Sequence, residues 1–229
     1  LDAVIQTVVL AATGDLVGFA HHVLFDHVAS RFLLAWDDPK TLLEQIAGDT
    51  STALFLAPAL RFAIERIWRY DKVGRPNSWK LIIGIYEANS INPVLGSVAL
   101  RTAVENIEEQ SDVIALMARV VTDSKNPGFA SLLVRLARYT KMVSASVEVI
   151  STSAAIAWGQ LAEALLVNEE KALTEPALFL LHTLIEHGDL EDPSLLAVFG
   201  NAARLLLEAG WRASSPHIAE SAIRFVGRS

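Results

Sequence analysis

Five of the six histidines fall in two short groups, His21–His22–Asp26–His27 and His182–Glu186–His187. Histidine beside carboxylate is the usual raw material for metal binding or proton transfer. In each group a histidine is followed by three residues, an acid and a second histidine. On a helix the first histidine and the acid, at i and i+4, share a face. The last histidine lies about 140° round the axis, so one helix cannot turn all three toward one ion. The zinc-protease signatures use other spacings, HExxH or HxxEH. A metal site would therefore require the two groups to meet across the fold. Otherwise they are helix-boundary histidines with acid partners, and no metal is expected.

The string His21–His27, HHVLFDH, also resembles the HHxxxDG motif of the condensation-domain acyltransferases. In that family the second histidine, matching His22, serves acyl transfer. The resemblance implies a large α/β fold in a much longer chain. It departs from the motif at His27, which stands where the family has a turn glycine. GxSxG, P-loop and GxGxxG patterns are missing from the sequence, and no cofactor is expected. With no cysteine there is neither a disulfide framework nor a thiolate site. Asp37–Asp38 precedes Pro39 and reads as a helix cap rather than a metal pair.

The stretch most suited to recognition is Arg61–Lys80. Arg61, Arg66, Arg69, Lys72, Arg75 and Lys80 stand against only Glu65 and Asp71, with Trp68, Tyr70 and Trp79 interleaved. Arginine, tryptophan and tyrosine are the side chains enriched at binding hot spots. Arg135, Arg138, Tyr139 and Lys141 repeat this chemistry two helix pairs later. The partner-binding set read from the sequence is Arg66, Trp68, Arg69, Lys72, Arg75, Trp79, Arg135, Arg138 and Tyr139, lining one groove for an acidic or aromatic segment. The plain alternative is a solvated helix face with the tryptophans in the core.

These residues must be held by helices. In Asn126–Met142, Asn126 can cap, Pro127 suits the first helical position, and Phe129, Leu132, Leu133, Leu136, Ala137 and Thr140 form one apolar face. Similar patterns predict helices over Asp2–Ala12, from Asp15 to about Trp36, over Leu42–Ile46 and over Thr52–Tyr70. Gly14 breaks the first, and Asp49–Ser51 caps the one from Thr52. Pro58 either kinks that helix or marks the start of its second part. Asp71–Ser78 reads as the clearest loop and a possible subdivision of a single domain spanning residues 1–229. Further helices follow at Trp79–Ala88, Asn92–Gln110, Val113–Val121, Ser144–Val167 (one helix or two), Glu175–Glu186, Asp192–Ala209 and from Ser215 onward. No run alternates as a strand between hairpin turns.

The expected class is all-α. The starts group into pairs, Asp2–Trp36, Pro39–Tyr70, Asn77–Gln110 and Ser111–Met142, of roughly 30 to 40 residues each, the size of two-helix repeats. The openings Asn92–Pro93, Asn126–Pro127 and Asp192–Pro193, each followed by a leucine- and alanine-rich amphipathic run, resemble armadillo and HEAT-type (ARM/HEAT) helical repeats. That resemblance implies antiparallel helix pairs stacked as a solenoid with a binding groove. The other architecture weighed is an irregular multi-helix bundle.

Composition narrows the function. The chain is 52% hydrophobic with a mean hydropathy of +0.37, so it has an extensive core or apolar surface for a partner, a second copy included. A net charge of -7 and a pI near 5.4 disfavour general nucleic-acid binding. Val149–Ala162, the least charged long run, is shorter than the ~20 residues of a membrane span. Leu1–Ala12 lacks the basic start of a signal peptide, and the chain, opening on Leu1, reads as a domain from a longer intracellular protein. The expected function is a non-enzymatic interaction scaffold or adaptor that binds a protein segment through a helical groove. The competitors are a nucleic-acid-associated, nucleoprotein-like domain using the basic aromatic stretch, and a helical enzyme using the histidine–acid groups.

Overall fold

The computed structural model describes residues 10–13, 16–19, 22–48, 50–146, 149–212 and 216–227. Among the described residues the fold is all-α apart from one short hairpin. Strands β1 (Leu10–Thr13) and β2 (Leu16–Phe19) pair antiparallel, with Leu10 opposite Phe19 and Thr13 opposite Leu16. This corrects the helices expected to run through Leu10–Ala12 and through Leu16–Phe19. The signal for the hairpin is Gly14–Asp15, a dipeptide type suited to a two-residue connection between strands. The remainder of the first expected helix, Asp2–Val9, lies outside the described residues, as do Asp15 and Asp49.

The helices are α1 (His22–Phe32), α2 (Pro39–Gly48), α3 (Thr50–Phe55), α4 (Ala57–Tyr70), α5 (Pro76–Glu87) and α6 (Pro93–Asn106). A 3₁₀ turn at Gln110–Val113 leads into α7 (Ile114–Asp123), α8 (Pro127–Ser144), α9 (Thr152–Val167), α10 (Lys171–His187), α11 (Pro193–Arg212) and α12 (Pro216–Val226). Pro58 is the second residue of α4, where its missing N–H has no intrahelical partner to lose, so it starts a helix and does not kink one. The expected helix over Ser144–Val167 is interrupted. Helix α8 ends at Ser144, and the Ser151 hydroxyl caps α9 by accepting from Ala154 N. Between them Ile150 is buried and donates its N–H to His187 O at 2.9 Å. Helix α10 begins at Lys171, ahead of the expected start, and carries Pro176 in its interior, where Pro176 and its neighbours Leu173, Thr174 and Ala177 are buried.

Helix-to-helix contacts arrange the chain in two rows. One row runs α1, α4, α6, α8, α10. The other runs α2, α5, α7, α9, α11, with α12 laid against α11. Helix pairs thus pack against each other both along and between rows, and one continuous set of buried apolar residues fills the space between them. Helix α9 shows why the alanine-rich segment belongs there. It contacts α7, α10, α11 and the 3₁₀ turn, and is buried on nearly every side, as expected of a helix apolar all round. Gly159 permits a close approach of α11, since a Cβ there would stand 2.7 Å from Val198 Cγ1. Among the described residues no helix is long and apolar enough to cross a membrane.

Candidate binding surfaces

The basic aromatic stretch converges on one buried carboxylate. Asp112 sits in the 3₁₀ turn with its side chain only 2% exposed. Its Oδ1 accepts from Arg75 Nε at 2.7 Å, and its Oδ2 accepts from the backbone N–H groups of Glu108 and Glu109 at 2.9 and 3.1 Å. Its main-chain carbonyl accepts from Trp79 Nε1 at 2.7 Å. Arg75 also donates to Trp68 O and lies over the Trp68 ring. Trp68 and Trp79 meet edge to face with centroids 5.6 Å apart. The bonds of Asp112 thus join the α4–α5 turn, α5 and the end of the α6–α7 connection in one polar knot.

Local sequence explains why Arg75 is in place. Asp71, just past α4, accepts from Ser78 N at 2.7 Å and Ser78 Oγ at 2.9 Å with one oxygen, and from Lys72 N and Asn77 Nδ2 with the other. That carboxylate satisfies a free donor in the first turn of α5 from seven residues away, so the helix starts at Pro76, earlier than expected. Arg75, at the helix boundary, takes the left-handed conformation, φ 54°. Gly74 is left-handed too, at φ 88°, and its carbonyl accepts from Ala115 N at the start of α7.

The structure therefore puts Trp68 and Trp79 in the core rather than on a surface, 4% and 1% exposed. Of the neighbouring cations, Arg61 and Arg66 are engaged by the fold. Arg61 pairs with Glu65 and reaches Glu105 on α6 at 3.2 Å; its hydrogen bond to Glu65, aided by both carboxylates, raises its pKa further. Arg66 stacks over Trp36 at 4.9 Å, while Arg69 lines a cleft beside Trp68 and Arg75. Arg69, Lys72 and Lys80 are exposed. The second group stands apart on α8. Arg135 lies over Tyr86 of α5, Arg138 lies over Phe179 and pairs with Glu175 of α10, and Tyr139 is half-buried.

Two concavities flank the tryptophan pair. On the Trp68 side is a polar cleft of about 440 Å³, where Arg69, Arg75, Asn106 and Ser153 face Glu65, Glu108, Glu109 and Asp112. Three residues of the sequence-derived set, Trp68, Arg69 and Arg75, line it. With four carboxylates around it, the cleft does not present the positive field that the sequence suggested. On the Trp79 side is an apolar groove of about 570 Å³ between α5 and α7. Trp79 and Ile83 form its floor, Leu43 of α2 closes one end, and Gly84, Ala115 and Ala118 keep its walls low. Lys80, Glu87, Arg119 and Thr122 stand at the rim. Apart from Trp79 and Lys80, the groove residues were not singled out in the sequence. The signal was present as two helical stripes, Pro76, Trp79/Lys80, Ile83/Gly84, Glu87 on one helix and Ala115, Ala118/Arg119, Thr122 on the other.

The histidine–acid groups lie far apart in the layering. His22, Asp26 and His27 are on α1, while His182, Glu186 and His187 are on α10, with α4, α6 and α8 between them in the same row. Among the described residues no cluster of three or more histidines or acids is placed to hold a metal ion. HHVLFDH is helical from His22 onward, with His22 and His27 exposed and Asp26 buried, and the α/β fold implied by the acyltransferase resemblance is not the one observed. His182 is half-buried edge-on against Phe225 of α12, with centroids 4.9 Å apart. Burial, then the charges of Lys141 and His217, hold its pKa below the ordinary 6.5 despite the opposing pull of Glu186. Comparison of the chain with protein-family models, curated proteins and solved structures finds no match.

Proposed function

We propose that this chain is a non-enzymatic interaction scaffold, a stack of helix pairs of the ARM/HEAT kind, that binds a protein segment in the groove between α5 and α7. The observation that carries this reading is the groove itself: an apolar trough of about 570 Å³ with a floor of Trp79 and Ile83, walls of small residues and a charged rim. Apolar concavities with a few polar groups at the edge are what protein-segment recognition uses. The basic aromatic stretch contributes Trp79 and Lys80 to it directly, and Arg75 indirectly, because Arg75 and Trp79 are both bonded to Asp112.

The test is selection of a displayed library of random 16-residue peptides on the 229-residue chain, with Ala118→Trp as control. Ala118 is exposed at the groove wall, so an indole there fills the trough without touching the core. Enriched peptides that bind the parent chain and lose most of their affinity for A118W support the reading. Failure to enrich any peptide sensitive to A118W, with the variant retaining its helical spectrum and melting temperature, overturns it.

A further inference from the structure

Resting on that reading, we infer that the segment bound between α5 and α7 is an amphipathic α-helix of another protein, carrying an acid and a base about seven residues apart on the side facing the rim. The backbone argument comes first. An extended peptide must find partners for its own N–H and C=O groups, because buried and unpaired they are costly. The groove has few to give. Its walls are helices whose backbone groups are bonded internally, and the Trp79 Nε1–H on the floor is already taken by Asp112 O. A helix satisfies its own backbone and asks the groove only for apolar contact.

The shape agrees. Ala115 and Ala118 keep the α7 side of the groove shallow, while Gly84 lets Leu43 of α2 pack close against α5, a Cβ there standing 3.1 Å from Leu43 Cδ2. Large side chains spaced i, i+3/i+4 and i+7 on a visiting helix would fill such a trough in the helix-in-groove manner.

Charge sets the pattern. Lys80 and Glu87 are exposed, lie seven residues apart on one stripe of α5, and have no hydrogen-bond or ion-pair partner among the described residues. Arg119, across the groove, is paired with Asp123 in its own helix. Seven residues of helix rise about 10 Å. A visiting helix therefore matches the rim when its acid lies by Lys80 and its base by Glu87.

The same peptide selection tests this when the A118W-sensitive clones are sequenced and synthesised. The expected clones have apolar residues at helical spacing, acid and base near seven apart, and a helical circular dichroism spectrum that strengthens on binding. For them, the double reversal Lys80→Glu/Glu87→Lys breaks two exposed ion pairs and should lower affinity by roughly 2- to 30-fold. Exchanging the two charges in the peptide should restore it. A118W-sensitive clones that bind extended, or that ignore the double reversal, overturn this inference and leave the scaffold reading standing. Absence of any A118W-sensitive clone removes both.

Discussion

Replacing Asp112 by alanine should be among the most damaging single changes in the molecule. The side chain is 2% exposed and accepts from one guanidinium and two backbone N–H groups. Alanine leaves Arg75 without its carboxylate and both amides without an acceptor. Removing one partner from a fully buried ion pair costs about 3 to 5 kcal/mol. Here Arg75 is 22% exposed and keeps its bond to Trp68 O, and the amides belong to exposed residues, so water recovers part of the loss. An expected cost of about 3 kcal/mol follows, a large share of the ~5 to 15 kcal/mol that holds a typical domain. For a chain of this size that is a fall of roughly 6 to 12 °C in Tm.

The assay is chemical denaturation and thermal melting of the parent, Asp112→Ala, Arg75→Ala and the double variant. Asp112→Asn keeps one acceptor and should lose about half as much as alanine. If Arg75 and Asp112 act as a pair, the double variant should recover about 1 to 2 kcal/mol relative to the sum of the singles. A D112A loss under about 1 kcal/mol, or additive singles, would refute the claim that this carboxylate ties the α4–α5 turn to the end of the α6–α7 connection.

Three further outcomes follow from other observations. Trp68→Phe and Trp79→Phe both shrink a buried ring, but Trp79 also loses its 2.7 Å bond to Asp112 O, whereas Trp68 Nε1 is buried with no partner to lose. Trp79→Phe should therefore be worse by about 1 to 2 kcal/mol in denaturant unfolding, and equal effects would contradict this. Gly159→Ala on α9 must displace Val198, and a drop of about 1 to 3 kcal/mol on melting is expected, with a neutral result showing that α9 and α11 can separate freely. His182, whose pKa burial lowers in the fold, binds a proton more readily in the unfolded chain; stability should accordingly fall as pH drops below 6.5 toward its depressed folded value and level off beneath it. The variant His182→Gln should flatten that stretch of the stability–pH curve, and an unchanged slope would assign the effect elsewhere.

Much of the helical layout was legible because its signals are local. Asn92 and Asn126 cap through their side chains, each followed by a proline in the first turn, as their types and positions suggest. The failures have local causes of another kind. The cap of α5 is Asp71, seven residues before the amide it serves, so inspection of Pro76 and its immediate neighbours alone places the start too late. Helix α10 accommodates Pro176 because burial of Leu173 and Ala177 outweighs one missing bond, a tertiary effect that no sequence window around Glu175–Pro176 contains. At the other end, Leu10–Ala12 and Leu16–Phe19 carry no charge and no strand-type alternation, and only the Gly14–Asp15 dipeptide in the sequence separates a hairpin from a continuation of helix.

The candidate site shows a subtler divergence. Counting charges along Arg61–Lys80 finds an excess of cations, yet a helix presents each residue to neighbours three and four away and to the helices beside it. In space the acids come from elsewhere: Glu105 of α6 meets Arg61, Asp112 meets Arg75, and Glu108 and Glu109 face Arg69 across the cleft. The linear excess is largely neutralised by folding, and an argument from attraction of an acidic segment weakens with it. What survives is the aromatic half of the stretch, in a different role. Trp79 is hydrogen-bonded from below by Asp112 O, so its ring lies fixed beneath a groove whose walls are glycine and alanine. A rigid apolar floor loses little conformational freedom when covered, which favours binding over an equally apolar but mobile surface. The polar knot therefore fixes a ring that lines the groove. On the proposed reading, Asp112→Ala should lower the affinity of the selected peptides although Asp112 does not line the groove, and unchanged affinity would separate the two.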